Sequence, residues 1–342
     1  MQSSWRSPSN IALIKYWGKY PGQLPANASL SYTLSASHTD TTVRNEGKTG
    51  TRDFRIRLFL DGQARPDFEP KIQQFLARLG PEADFLRGLD LRIDTHNSFP
   101  HSSGIASSAS GLSALALCLL DLRQQASGKE EEDFFRTASH WARLGSGSAS
   151  RSVYGPLVLW GRHSAFAESN DTYAIPYPDE LHPSFNQVGD CILLVEQGQK
   201  SVSSSAGHRL MEGHAFAEAR FQQAGQNLSA LKEILRAGDW EAFGIMLESE
   251  ALTLHAMMMS SKPYYLLMKP DTLRWIEALW AWRREKALPL YFTLDAGANI
   301  HLLYPPDIEQ EVLNWVITHK EGFGLGAYIR DQSGKGPIRL EI

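Results

Sequence analysis

Residues 97–120 read NSFPHSSGIASSASGLSALALCLL, a run of glycine and hydroxyl residues leading directly into an apolar run. No other feature constrains the chain as much. Leu112, Leu115, Leu117 and Leu120 require the helix that carries them to be buried, which fixes its N-terminus against the body of the protein. The first N–H groups of a helix have no partner one turn back and carry the positive end of its dipole, so such an end attracts anions. Gly104 lets the backbone approach closely, and Ser107, Ser108 and Ser110 add hydroxyl donors. Two readings stand: a cradle for phosphate, or a serine-rich helix start that caps itself. No GxxxxGK[ST] segment occurs, so a P-loop ATPase is excluded.

At 342 residues the chain exceeds the ~100–200 of one average domain, so two domains sharing a cleft are expected. Strands are predicted at 30–36, 40–45, 53–60, 90–95, 152–161 and 190–195, with a helix over 129–143 whose Phe134, Phe135, Ala138 and Trp141 share a face. After that the texture changes. Helices are predicted at 211–237, 239–255 and 271–286, strands at 289–294 and 300–304, a helix at 307–319 and a last strand near 337–342. The second half therefore reads β-α-α-α-β-β-α-β, an α+β sandwich. The Pro-bearing segment 176–188 is the linker candidate and divides the chain into 1–186 and 187–342.

A net charge of −4 disfavours a nucleic-acid binder, which needs a basic surface. Cys118 and Cys191 each lie in an apolar run and are expected to be buried free thiols. The opening MQSSWRSPSN has no apolar core of signal-peptide length, and no stretch approaches the ~20 apolar residues of a membrane span. A cytoplasmic protein is expected. The sequons at Asn27 and Asn227 then read as chance matches, and His96, His101, His208, His214 and His255 have no metal-ligand spacing.

Three more segments carry chemistry. In RLGSGSASRSVYG, from Arg143 to Gly155, two glycines and three serines before Arg151 suit either an anion-binding nest completed by a guanidinium or a flexible loop with a surface arginine. In SPSNIALIKYWGKY, an alternating strand would put Lys15, Trp17 and Lys19 on one face, facing an anionic ligand or, in a half-exposed edge strand, water. In YFTLDAGANIHLL, Asp295 ends an apolar strand, poised over a cleft or engaged in an Asx-turn.

Taken in order and spacing, NIALIKYWGK, FPHSSGIASSASG, GSGSASRS and LDAGAN resemble the diphosphomevalonate decarboxylases of the GHMP kinase superfamily, from about Asn10 to Asn299. The resemblance implies an α+β, two-domain GHMP-kinase-like fold: an N-terminal mixed α/β domain and a C-terminal ferredoxin-like α/β sandwich with the active site in the cleft between them. It implies ATP-dependent decarboxylation of mevalonate 5-diphosphate to isopentenyl diphosphate, in the mevalonate pathway of isoprenoid biosynthesis, through phosphorylation of the 3-hydroxyl. ATP and Mg2+ are the implied cofactors, and a homodimer the implied assembly.

Residue by residue, the resemblance implies that Asp295 orients or deprotonates the 3-hydroxyl and that Lys15 lies near the transferring phosphoryl group. Arg151, assisted by Asn10, would grip the substrate carboxylate, while Tyr16 and Lys19 contact substrate phosphates. Ser146 and Ser148 would hold the diphosphate or carboxylate end, with Ser203 and Ser204 brought over the substrate by the loop KSVSSSAG. Pro100, Ser103, Gly104, Ala106, Ser107 and Ser108 would form the ATP site, Ser108 also meeting the metal.

The chain departs from the family pattern at three places. Arg65 is the one arginine in 62–70 for the diphosphate, Ala298 stands where proline is frequent, and 203–205 offers no basic residue. All bear on the second phosphate. The rivals are a mevalonate 5-phosphate decarboxylase, a mevalonate 3-kinase that stops after phosphorylation, and a catalytically silent binding or sensor protein. The intact set Asp295, Arg151 and Lys15 disfavours the last two.

Overall fold

The computed structural model describes residues 1–100, 105–196 and 204–341, the side chains of 204 and 205 excepted. Two sheets organise the chain. The first runs, in spatial order, Ile338–Arg339, Gln2–Ile14, Ser29–Lys48, Leu89–Asn97, Arg55–Leu60 and Gln63–Ala64. Leu157–Trp160 pairs with the start of Ser29–Lys48 and carries Ala174–Pro176 at its outer edge. All of these pairs are antiparallel except Arg55–Leu60 with Leu89–Asn97. Helices Glu69–Leu79, Ser107–Ser127 and Phe134–Gly145 close over one face, burying Phe75, Leu112, Leu115, Trp141 and Val43 together.

The second sheet has the order Tyr291–Thr293, Ile300–Tyr304, Gly189–Leu194, Ala327–Gln332, all antiparallel. Numbered along the chain this is 2-3-1-4, the split βαβ order of a ferredoxin-like sandwich. The helices Ala217–Ala237, Trp240–Met259, Pro270–Lys286 and Glu309–His319 belong to this half. Side chains alternate across a strand, so Gly189–Leu194 serves two cores. Cys191 and Leu193 are buried with Trp275, Leu279 and Val316. Ile192 and Leu194 are buried with Leu228, Leu231 and Leu247, and also with Ile11, Leu13 and Leu30 of the first sheet. The two halves thus share a continuous apolar core, which sets the cleft walls at a defined spacing.

Several sequence expectations need correction. The strands expected at 30–36 and 40–45 are one strand, Ser29–Lys48. Its pairing with Gln2–Ile14 jumps between Thr33 and His38, and the freed N–H groups of Ser35, Ala36 and Ser37 all donate to the Asp331 carboxylate at 2.7–2.9 Å. A polar bulge held from the other half was legible only as a break. The strand expected near 337–342 is Ile338–Arg339, and it joins the first sheet beside Trp5 and Arg6. The fourth strand of the second sheet is Ala327–Gln332, mostly exposed at an edge and so without an apolar alternation to announce it.

The helix expected at 129–143 is Phe134–Gly145, its start set by Asp133, whose carboxylate accepts from the Arg136 N–H. The helix Glu69–Leu79 was not expected. Cys118 and Cys191 are buried free thiols. Among the described residues no helix is long and apolar enough to cross a membrane.

Candidate active site

The first sheet, the N-terminus of Ser107–Ser127 and the loop after Tyr291–Thr293 enclose a cleft of about 810 Å3. Lys15, Tyr16, Lys19, Ala106, Ser107, Ser108, Ser146, Ser148, Arg151 and Asp295 all line it. Asn10 stands behind Arg151, while Pro100 is exposed and apart from the lining. Ser103, Gly104 and Ser203 lie outside the described residues, as does the Ser204 side chain.

The strand carrying NIALIK ends at Ile14, so Lys15, Trp17 and Lys19 do not share a strand face as expected. The chain turns there instead. Lys15 is 1% exposed, and its Nζ donates to Asp295 Oδ1 at 3.0 Å. Burial lowers the Lys15 pKa, opposed by the Asp295 carboxylate beside it. Trp17 packs with Met211, Leu254, Met257 and Met258, so the methionines of the segment HAMMM at 255–259 supply a wall for this loop.

What fixes Lys15 was not visible in the sequence. Its backbone N–H donates to Glu250 Oε2 at 2.8 Å, and its carbonyl accepts from Asn27 Nδ2 at 3.0 Å. Glu250 is fully buried on Trp240–Met259, where Arg220 binds it through two nitrogens at 2.6 and 3.0 Å and Asn227 adds a third donor at 2.6 Å. A charge buried this deeply persists only when paired and hydrogen-bonded. The sequon asparagines Asn27 and Asn227 are thus structural partners. The available signal was a glutamate among the apolar positions of that helix, between Leu247 and Leu254.

Asp295 lies in the turn after Tyr291–Thr293. Its carbonyl accepts from the Gly297 N–H at 2.7 Å and from His255 Nε2 at 3.1 Å. His255 is 1% exposed, and burial lowers its pKa to about 4, so it is neutral and donates through Nε2.

The segment Gly147–Val153 is a 3-10 helix, buried along nearly its whole length, not an open loop. Arg151 donates through Nη1 to Ser29 Oγ at 2.7 Å, and through Nη2 and Nε to Asn10 Oδ1 at 3.1 and 3.3 Å. A guanidinium has five N–H groups, so these three bonds leave two over, and Arg151 lines the cleft. Burial lowers its pKa to about 10, with Asp295 and Tyr16 opposing; the group is cationic at neutral pH. Asn10 in turn donates to Ser152 Oγ at 2.8 Å, which fixes the orientation of its oxygen. A Cβ at Gly147 would lie 2.8 Å from the Tyr16 hydroxyl and 2.7 Å from the Trp160 ring, so only glycine fits. The Tyr16 hydroxyl is buried with no partner among the described residues, and burial raises its pKa.

The helix Ser107–Ser127 starts from Ala106, held in the left-handed region at φ 41°, ψ 39°, with no side-chain cap. The residue at the cap position is thus an alanine and not one of the serines. Ala106, Ser107 and Ser108 line the cleft, which places this helix N-terminus where a phosphate cradle requires it. Among the described residues no cluster of three His, Cys, Asp or Glu could hold a metal ion. A Mg2+ held mainly by phosphate oxygens and one hydroxyl fits that donor set. Arg65, bidentate to Asp67 at 2.7 and 2.9 Å, also lines the cleft, as does Lys71, which the sequence reading missed.

Residues 7–174 match the diphosphomevalonate decarboxylase-like N-terminal domain, and 191–324 match the mevalonate 5-diphosphate decarboxylase C-terminal domain. The diphosphomevalonate decarboxylase of Candida albicans is 28% identical over 93% of this chain and 88% of its own length. The solved structure of MDDEF in complex with MVAPP, AMPPCP and magnesium superposes with a TM-score of 0.84 at 30% identity, over 100% of this chain and 99% of that one. The mevalonate diphosphate decarboxylase of Staphylococcus aureus gives 0.83 at 27% identity, over 99% and 98%.

Proposed function

The chain belongs to the diphosphomevalonate decarboxylase family, and from that premise we propose that it converts mevalonate 5-diphosphate and ATP to isopentenyl diphosphate, ADP, phosphate and carbon dioxide. The observation that carries this reading is the convergence of Lys15, Asp295 and Arg151 on one cleft that also receives the N-terminus of the helix Ser107–Ser127.

The tertiary 3-hydroxyl is a poor leaving group until it is phosphorylated. The Asp295 carboxylate accepts the hydroxyl proton as its oxygen attacks the γ-phosphorus of ATP. Lys15, fixed by Glu250 and Asn27, stabilises charge on the transferring phosphoryl group. ATP phosphates rest on the N-terminus of Ser107–Ser127, with Ser107, Ser108 and Ala106 around them, and the apolar lining at Leu58, Ile72, Ile93 and Leu112 suits adenine. Mg2+, when bound with ATP, neutralises phosphate charge, Ser108 offering a hydroxyl ligand.

After phosphorylation the 3-phosphate departs with its bonding electrons, leaving positive character at the third carbon. The bond to the carboxylate carbon then breaks, and its electrons form the double bond as carbon dioxide leaves. The remaining N–H groups of Arg151, oriented by Asn10 and Ser29, align that carboxylate, and Asp295, having passed the hydroxyl proton on to solvent, is again a carboxylate and favours the developing cation. Tyr16, Lys19, Ser146 and Ser148 take the diphosphate end, and the family resemblance adds Ser203 and Ser204.

We further propose a domain division at 186/187, supported by the change of sheet between Ala174–Pro176 and Gly189–Leu194. The unpaired buried thiols favour the cytoplasm, and the family resemblance favours a homodimer. Mass spectrometry of the product of mevalonate 5-diphosphate and ATP tests the reaction. Isopentenyl diphosphate is the expected product; an accumulating 3-phosphorylated species would favour a kinase.

A further inference from the structure

We propose that His208 is a specificity-determining residue of the substrate site, its Nε2–H donating a hydrogen bond to the phosphate chain of mevalonate 5-diphosphate. This rests on the function proposed above. His208 lines the cleft with Lys15, Tyr16, Lys19 and Arg151. Its ring is set between two aromatics, 4.3 Å from the Tyr16 centroid and 4.8 Å from that of Trp17. The Gly18 N–H donates to His208 Nδ1 at 3.1 Å. An accepting Nδ1 leaves the proton of a neutral imidazole on Nε2. No described residue accepts from that nitrogen.

The backbone is built to hold this arrangement. Gly18 has φ +92°, and a Cβ there would lie 2.9 Å from Phe221. A Cβ at Gly207 would lie 2.4 Å from the Trp17 ring, so the chain entering His208 presses directly on the indole. Burial, with Lys19 and Arg151 nearby, lowers the His208 pKa to about 3. The imidazole is therefore a neutral donor between two cations. The cations attract any anion, whereas a fixed N–H selects where a phosphate oxygen sits. It also answers the departure at 203–205, where no basic residue is present.

A purely structural His208 would only fill space and accept from Gly18, and two variants separate the roles. Asparagine can keep its oxygen near the Nδ1 position, while glutamine carries an amide N–H out to the Nε2 position. His208→Asn is expected to raise KM for mevalonate 5-diphosphate roughly 10- to 100-fold, the worth of one hydrogen bond to a charged acceptor. KM for ATP is expected to stay unchanged, and His208→Gln to recover most of the loss. A wild-type KM in His208→Asn, or equal impairment in His208→Gln, overturns the proposal.

If either variant fails to fold, nitrogen-15 spectra of the unmodified protein decide. The Nε2–H resonance must shift when mevalonate 5-diphosphate is added without ATP, and an unmoved resonance overturns the proposal. Turnover of the unmodified enzyme is measured beside it. A shift without turnover would sink the reaction reading alone, and turnover without a shift would sink the role of His208 alone.

Discussion

Lys15 and Asp295 stand 280 positions apart in the chain and meet at 3.0 Å, the ammonium 1% exposed and the carboxylate 29%. One comes from the end of the first strand, the other from the turn after a strand of the second sheet. The pair therefore exists only when both halves are assembled, and in the proposed reaction it marks where a hydroxyl and a phosphoryl group are brought together.

Asp295→Asn removes the proton acceptor while keeping the shape. Turnover is expected to fall about 10^3-fold or more, with ATP affinity, measured by calorimetry, within a few-fold of the unmodified protein. Unchanged turnover would rule out the role assigned to this carboxylate.

Arg151→Lys keeps a charge but loses the planar fork that Asn10 and Ser29 orient. Carbon dioxide release is expected to drop by about two orders of magnitude or more. Near-normal release would mean that the substrate carboxylate is held elsewhere.

The buried Glu250–Arg220 pair positions Lys15 by its backbone. Glu250→Ala strands a buried guanidinium and is expected to cost about 3–5 kcal/mol of stability in denaturant titrations. A loss below 1 kcal/mol would mean that the pair behaves like an exposed one.

Two pH effects follow from burial. The lowered Lys15 pKa means that the active ammonium is lost, as pH rises, earlier than at the ordinary lysine value near 10.4. The alkaline limb of kcat/KM is expected below that value, and Lys15→Arg should move it upward; an unmoved limb would assign it to another group.

For His255, the folded pKa of about 4 lies below the unfolded value near 6.5. Between those values the unfolded chain binds the extra proton, so stability is full above about pH 6.5 and is lost as pH falls toward 4, by up to about 1.4 kcal/mol per pH unit. His255→Gln keeps a donor without titrating and should flatten that slope in thermal melts. An equally steep slope in the variant would exclude His255 as its source.

The sequence revealed the site better than the frame that holds it. The motif residues Lys15, Ser107, Ser146, Arg151 and Asp295 are local words, and each arrives in the cleft. Glu250, Arg220, His208 and His255 are brought to them by tertiary packing, and a single chain has no periodicity that marks such convergence. The second half read nearly correctly because its helices repeat apolar residues at three-and-four spacing, as Phe243, Leu247, Ala251 and Leu254 do. Ala327–Gln332 was missed because an exposed edge strand carries no such repeat, and Ser29–Lys48 was split because Asp331, 294 residues beyond Ser37, supplies the acceptor that lets the strand bulge.

The most direct measurement is a side-by-side assay with ATP and Mg2+ on mevalonate, its 5-phosphate and its 5-diphosphate, following ADP and carbon dioxide together. Matched release of both from the diphosphate alone is the predicted result. Preference for the monophosphate, ADP without carbon dioxide, or neither product would contradict it.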